Sequence, residues 1–155
     1  MYNKIGDNMR IAIASDHRGV DYKKRIIEFL KKEGHEVIDC SEVNTPTDDY
    51  PDFAFKVCDK VISNEADIGV LCCRTGIGMS IAANKVKGIR CAKVDSVEDA
   101  ILSRNDNGAN VLSFNYTKRF GKIKKIINAF INAEVLNDER HVRRVNKINE
   151  YEKSN

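Results

Sequence analysis

Five short apolar runs, each followed by a stretch of helix length, constrain this chain more than any other feature. The runs cover residues 9–15, 36–40, 67–73, 90–94 and 110–114. Residues 20–33 read as a basic helix with Ile26, Ile27 and Leu30 on its apolar side, and Gly34 suits its C-terminal cap. A polar loop over 41–50 leads to Pro51, which fits the first turn of a helix running to about 63. The third run passes through a glycine loop into a helix expected to end near 86. Ser96-Val97-Glu98-Asp99 resembles a capping box before the next helix. Ile123, Ile126, Ile127, Phe130 and Ile131 fall at i, i+3, i+4, i+7 and i+8, which is an amphipathic helix over 117–133. A last helix, about 138–152, is polar almost all round, and a partner subunit is the natural surface for it. Strands alternating with helices predict a parallel sheet covered on both faces. Ligands of such sheets bind outside the carboxyl ends of the strands. Asp16-His17, the 73–78 loop and residues 103–110 are all expected there.

At 155 residues the chain suits one domain with a substantial core. We divide it into an N-terminal extension, 1–8, a domain over 9–137, and a C-terminal helix and tail, 138–155, set against a subunit interface. The 26 basic and 23 acidic residues leave a net charge of only +3, which gives no case for nucleic acid or a membrane surface. The apolar runs are too short to cross a bilayer, and residues 1–8 are polar, so the cytoplasm is the expected compartment. An odd set of five cysteines argues against a disulfide framework. No cysteine pair has zinc-ligand spacing and only three histidines exist, so no metal is expected.

The chemistry concentrates at 66–84, where the run Ile68 to Cys72 leads into Cys73 and a loop holding Gly76 and Gly78. Cys72 and Cys73 are neighbours on a strand and therefore point to opposite faces. Cys73, the last residue before the turn, is the one placed to act. A free thiol titrates near pH 8.5, and a helix N-terminus can bring it toward neutrality. The N–H groups of Arg74, Thr75, Gly76, Ile77 and Gly78 would form a cradle for developing negative charge. The plain alternatives are a buried inert thiol and a tight turn. A dinucleotide fingerprint fails, because Ile81 occupies the place of its third glycine.

With these pieces in order, the chain resembles the ribose-5-phosphate isomerase B family, which also holds the galactose-6-phosphate isomerase subunits. The matching residues are Ile-Ala-Ser-Asp-His near the start, Asp-Tyr-Pro at 49–51, and Cys-x-Thr-Gly-x-Gly-x-Ser-Ile-Ala-Ala-Asn-Lys at 73–85. Gly-Ile-Arg at 88–90, Ser-Arg at 103–104, Asn-Val-Leu at 110–112 and Arg-His-x-x-Arg-Val at 140–145 complete them. The resemblance spans roughly 9–150. It implies a Rossmann-like three-layer α/β sandwich with a five-stranded parallel sheet. It also implies a homodimer or dimer of dimers with sites near the subunit interface.

The implied reaction interconverts ribose 5-phosphate and ribulose 5-phosphate through an enediolate, with no cofactor. The resemblance makes Cys73 the base, since the Glu that one branch uses instead falls at Met79 here. Thr75 would bind the sugar and assist ring opening, Asp16 would hold sugar hydroxyls, and His17 would lie near the phosphate. Tyr50 would line the sugar site, Asn107 would bind substrate, and Arg140 and Arg144 would bind phosphate, four residues apart on one helical side. From the residues alone, Asp16 and Thr75 are equally helix caps, Tyr50 packing, and the arginines a solvated face.

Two positions depart from the family pattern. Arg74 stands where glycine is usual, which costs strain if that position needs a positive φ. Otherwise its guanidinium lies at the mouth of the site. Asp106 stands where ribose-5-phosphate isomerases carry the His that opens the furanose ring, and a carboxylate is a poor general acid at neutral pH. Asp106 could take that role, or another group could. The alternatives are an isomerase of a six-carbon sugar phosphate and a non-catalytic sugar-phosphate-binding subunit.

Overall fold

A computed structural model describes residues 8–155, so the N-terminal extension lies outside the described residues but for Asn8. Strands β1 (Arg10–Ser15), β2 (Glu36–Asp39), β3 (Ile68–Cys73), β4 (Cys91–Lys93) and β5 (Val111–Asn115) form one parallel sheet in the order β2-β1-β3-β5-β4. Helices α1 (Val20–Lys32), α2 (Tyr50–Ile62), α3 (Ile77–Ala83) and α4 (Val97–Asn107) make the crossovers. Helices α5 (Phe120–Asn132) and α6 (Glu139–Lys153) follow the last strand. The three-layer α/β expectation holds.

Strand alternation sorts the core into two layers. On one face Ile11, Ile13, Val70, Cys72, Leu112 and Phe114 meet Ile26 and Leu30 of α1 and the Ile123–Phe130 stripe of α5. On the other, Ala12, Ala14, Leu71, Cys73 and Val111 meet Phe53, Val57 and Cys58 of α2 and Met79 and Ala83 of α3. The neighbouring cysteines thus face opposite layers. No residue of α6 is buried within the single chain.

The expected punctuation is mostly in place. Pro51 sits in the first turn of α2. Ser96 Oγ accepts the Asp99 N–H at 3.0 Å. Gly34 takes φ +92° just past α1. Helix α3 stops at Ala83 rather than near 86, because Asn84 turns to β4. Its side chain donates to the Cys91 carbonyl at 2.9 Å and accepts the Cys91 N–H at 2.8 Å.

One expectation is overturned. Residues 103–110 do not gather at the carboxyl ends of the strands. Helix α4 leaves the carboxyl end of β4 and must run back before β5 can start parallel to it. Its last turn therefore lies at the amino ends, where the Asn110 carbonyl accepts the Gly69 N–H of β3 at 2.9 Å.

Two devices shape the carboxyl end. Gly76 has φ +78°, and a Cβ there would lie 2.9 Å from the carbonyl carbon of Phe114. The hydroxyl of Ser113, the buried polar position of β5, donates to the Gly76 carbonyl at 2.6 Å. Further along the edge, Lys23 reaches from α1 with its side chain 5% exposed. Its ammonium donates to Ser41 O at 2.6 Å and Ser41 Oγ at 2.9 Å, and pairs with Asp39 at 3.0 Å. Ser41 Oγ in turn accepts the Ser15 N–H at 3.1 Å, which locks the ends of β1 and β2 together.

Gly76→Ala meets both a left-handed φ and immovable backbone, so it should cost about 2–4 kcal/mol. A thermal melt should show a fall of roughly 5–10 °C; an unchanged midpoint would mean that the loop is free to move off β5. Lys23→Met takes the donor from the buried Ser41 carbonyl and the ion pair from Asp39, and should cost about 1–3 kcal/mol in urea unfolding. An unaltered urea midpoint would show that the lysine does not hold the two strands.

Candidate active site

At the carboxyl end β1 and β3 lie side by side, yet their chains depart to opposite faces, β1 toward α1 and β3 toward α3. Such a switch opens a crevice between the two departing loops. On the β3 side stands Cys73, 6% exposed, whose sulfur accepts the Gly76 N–H at 3.1 Å. The other cysteines are held as thiols: burial pushes Cys40 up to about 11, Cys58 and Cys91 up to about 12, and Cys72 up as well. Thr75 Oγ1 accepts the Ile77 N–H at 3.1 Å in a local turn; the N-cap of α3 is Gly76, with no side-chain cap, so Thr75 is not the helix cap the residues alone suggested. Two of the five expected cradle donors, Gly76 and Ile77, thus already have partners in the chain. Arg74 and Thr75 are exposed. Asn64 is the one non-glycine residue with positive φ among those described, so Arg74 carries no such strain.

On the β1 side Asp16 Oδ1 accepts the N–H groups of Arg18 and Gly19, at 3.1 and 3.0 Å, and caps the 3-10 turn His17–Gly19. His17 is held by Asp48, with Nδ1 2.9 Å from Asp48 Oδ1. Asp48 Oδ2 takes the Asn44 amide at 3.0 Å and the Thr45 N–H at 3.1 Å. Burial works to raise the Asp48 carboxyl, but the hydrogen bonds from Asn44, His17 and Thr45 outweigh it and hold it below the ordinary carboxylate range. Tyr50 lies against the start of α3: a Cβ on Gly78 would come 2.7 Å from its ring. Tyr116 follows β5, its N–H on the Cys73 carbonyl at 3.2 Å. Burial first, then the charge of Asp16, pushes the Tyr116 phenol up, with Arg18, Arg74 and Cys73 also within range.

Asp48, Asn44, Ser113 and Tyr116 are absent from the sequence-based expectation. Ser113 had a legible signal, a lone hydroxyl inside an apolar strand. The other three lie in polar segments where nothing distinguishes a positioning residue from solvent-facing loop. Among the described residues no group of three or more His, Cys, Asp or Glu side chains is placed to hold a metal ion. No helix among them is long and apolar enough to cross a membrane.

Asp106, Asn107, Arg140 and Arg144 are not brought to this crevice. They cluster around the last turn of α4 and the first turns of α6, at the other end of the sheet. The six residues of β3 separate the two groups by about 17 Å. There Asp106 Oδ1 lies 3.4 Å from His141 Nε2. The Asn107 carbonyl accepts Arg90 Nε at 3.0 Å. Asp138 caps α6 through the N–H groups of Arg140 and His141, at 2.9 and 3.4 Å, while Arg140 and Arg144 stay exposed.

Comparison with known proteins adds three likenesses. Ribose-5-phosphate isomerase B of Mycobacterium tuberculosis is 36% identical over 148 residues, covering 94% of this chain and 91% of that protein. The structure of ribose-5-phosphate isomerase B from Clostridium thermocellum superposes with a TM-score of 0.89 at 44% identity, covering 94% of this chain and 99% of that one. The crystal structure of ribose-5-phosphate isomerase B from Mycoplasma genitalium with bound ribulose-5-phosphate gives a TM-score of 0.88 at 44% identity, over 94% and 97% of the two chains. The family model described as Ribose/Galactose Isomerase matches residues 11–148. With the family model matching residues 11–148 and relatives alike in sequence and fold over nearly the whole chain, this chain belongs to the ribose/galactose isomerase family.

Proposed function

We propose that this protein interconverts ribose 5-phosphate and ribulose 5-phosphate through an enediolate, with Cys73 as the base. The observation that carries the reading is the 44% identity to a structure that holds ribulose-5-phosphate, over 94% of this chain. In the open-chain aldose the Cys73 thiolate removes the C2 proton, and the electron pair moves to place negative charge on the C1 oxygen. Transfer of the C2 hydroxyl proton to the C1 oxygen, and return of the carbon-bound proton from Cys73 to C1, give the ketose and restore the thiolate. A sulfur that accepts an N–H is arranged as a thiolate base requires. Thr75, Gly78 and the exposed backbone of Arg74 bind the enediolate oxygens, and Gly76 and Ile77 shape the loop that presents them. Asp16 holds sugar hydroxyls while capping its turn. His17, fixed by Asp48, meets the phosphate, and Tyr50 walls the sugar. No metal or organic cofactor takes part, and the protein works in the cytoplasm.

The complete site needs two copies. Asn107, Arg140 and Arg144 lie a strand length away from the Cys73 of their own chain, so they serve the crevice of a second copy, Asn107 binding its substrate and the two arginines its phosphate. A two-fold axis repeats the exchange and makes two equal sites. The apolar Ile77 and Ile81 beside the Cys73 loop, 52% and 59% exposed in the single chain, give the second copy a seat. The assembly is a homodimer or a dimer of such dimers, with 138–155 at the interface of the 9–137 domain.

Cys73→Ala should lower formation of ribulose 5-phosphate from ribose 5-phosphate by about 10²–10⁴-fold with the melting temperature little changed. Turnover that survives the substitution would assign the base elsewhere. When Cys73→Ala is mixed with the double variant Arg140→Ala, Arg144→Ala and subunits are exchanged, half of the dimers are mixed. Each mixed dimer carries one intact site, so below KM about a quarter of the wild-type rate should return. If the mixture stays as inactive as its parts, each copy holds a site of its own.

A further inference from the structure

The Asp106 position raises a chemical question, because ring opening needs an acid and a carboxylate does not supply one at neutral pH. The structure sets an imidazole beside it. Asp106, on the last turn of α4, and His141, on the first turn of α6, approach to 3.4 Å between Oδ1 and Nε2. Their side chains are 34% and 18% exposed, so the pair is partly shielded yet reachable. Asn105, Asp106, His141, Val142 and Val145 border one cleft. His141 is fixed at its backbone by the Asp138 cap, and Arg144 lies one turn along the same side of α6. An imidazole near a phosphate-binding guanidinium, oriented by a carboxylate, has the composition of an acid–base group.

We infer that His141, positioned by Asp106, is the acid that opens the furanose ring of ribose 5-phosphate bound in the crevice of the second copy; this rests on the isomerase reading above. The bond between C1 and the ring oxygen breaks, and its electron pair stays on the ring oxygen, which takes a proton from His141. The C1 hydroxyl loses its proton to water as the aldehyde carbonyl forms, and water returns a proton to the imidazole. No oxidant or reductant is involved. Asp106 acts through the imidazole and is a positioning residue. The acid has moved from one helix to its neighbour, and the carboxylate that stands in its former place now holds it.

The test separates ring opening from enediolate chemistry. Ribulose 5-phosphate cannot close a furanose ring, because its C5 oxygen carries the phosphate. Uptake of solvent deuterium at its C1 therefore needs Cys73 but no ring-opening acid. The full-length His141→Gln variant keeps a donor toward Asp106 and loses the transferable proton. It should lower turnover of ribose 5-phosphate by about 100-fold or more while deuterium uptake into ribulose 5-phosphate stays within about threefold of wild type. Adding Asp106→His to His141→Gln should recover at least about tenfold of the lost turnover, because it restores an imidazole on α4. Unchanged turnover in His141→Gln would overturn the proposal. So would a fall in turnover and exchange together, which would make His141 a binding or structural residue. Wild-type protein that neither turns over ribose 5-phosphate nor exchanges would overturn the isomerase reading itself, and the role of the pair with it.

Discussion

The contact on which the rest of the carboxyl end depends is the seating of Gly76 on the backbone of Phe114. A side chain there would overlap β5 at 2.9 Å, so only glycine lets the loop lie flat on the strand. Once seated, its carbonyl faces the Ser113 hydroxyl and its N–H faces the Cys73 sulfur. One residue thus fixes three things: where β3 stops, which way α3 starts, and what the sulfur meets. The pairing of Cys73 with Asn115 across β3 and β5 sets the height of the loop above the sheet. The buried Ser113 hydroxyl gives a carbonyl pulled into the core a partner that an apolar residue could not offer.

Much of this was legible because local chemistry and topology agree. The five apolar runs became the five strands, and Pro51, Ser96 and Gly34 punctuate the helices as their residue types demand. Adjacent strand positions forced Cys72 and Cys73 into different layers, and they are found there. The Arg74 question was answerable only from the backbone, since no sequence pattern reports the sign of φ. The capping role of Asp16 is real, and neither it nor the local Thr75 turn competes with substrate contacts, because each engages one oxygen and leaves other lone pairs free.

What the sequence hid was distance. Residues 103–110 carry polar motif residues just as 73–78 do, and a motif has no address on the sheet. The address follows from direction: in a parallel sheet every crossover helix delivers the chain back to the amino edge. Asp106 and Asn107, at the end of such a helix, had to lie there. Asp48 was hidden for another reason. Its role is to fix His17, and a residue that acts through a neighbour shows no spacing of its own.

The division of charge explains why the two groups are kept apart. Arg18 and Arg74 rim one crevice, while Arg140 and Arg144 cluster at the opposite end of the same chain. All four guanidiniums around one empty site in one subunit would repel one another, with no substrate present to offset the cost. Split between two ends, each pair is solvated and inexpensive in the free chain. In the proposed dimer they converge only where a phosphate dianion is to sit, so the charge that draws the substrate in is assembled by the interface. Apolar contacts such as Ile77 and Ile81 must then supply the association energy, because the charged groups oppose it until phosphate arrives.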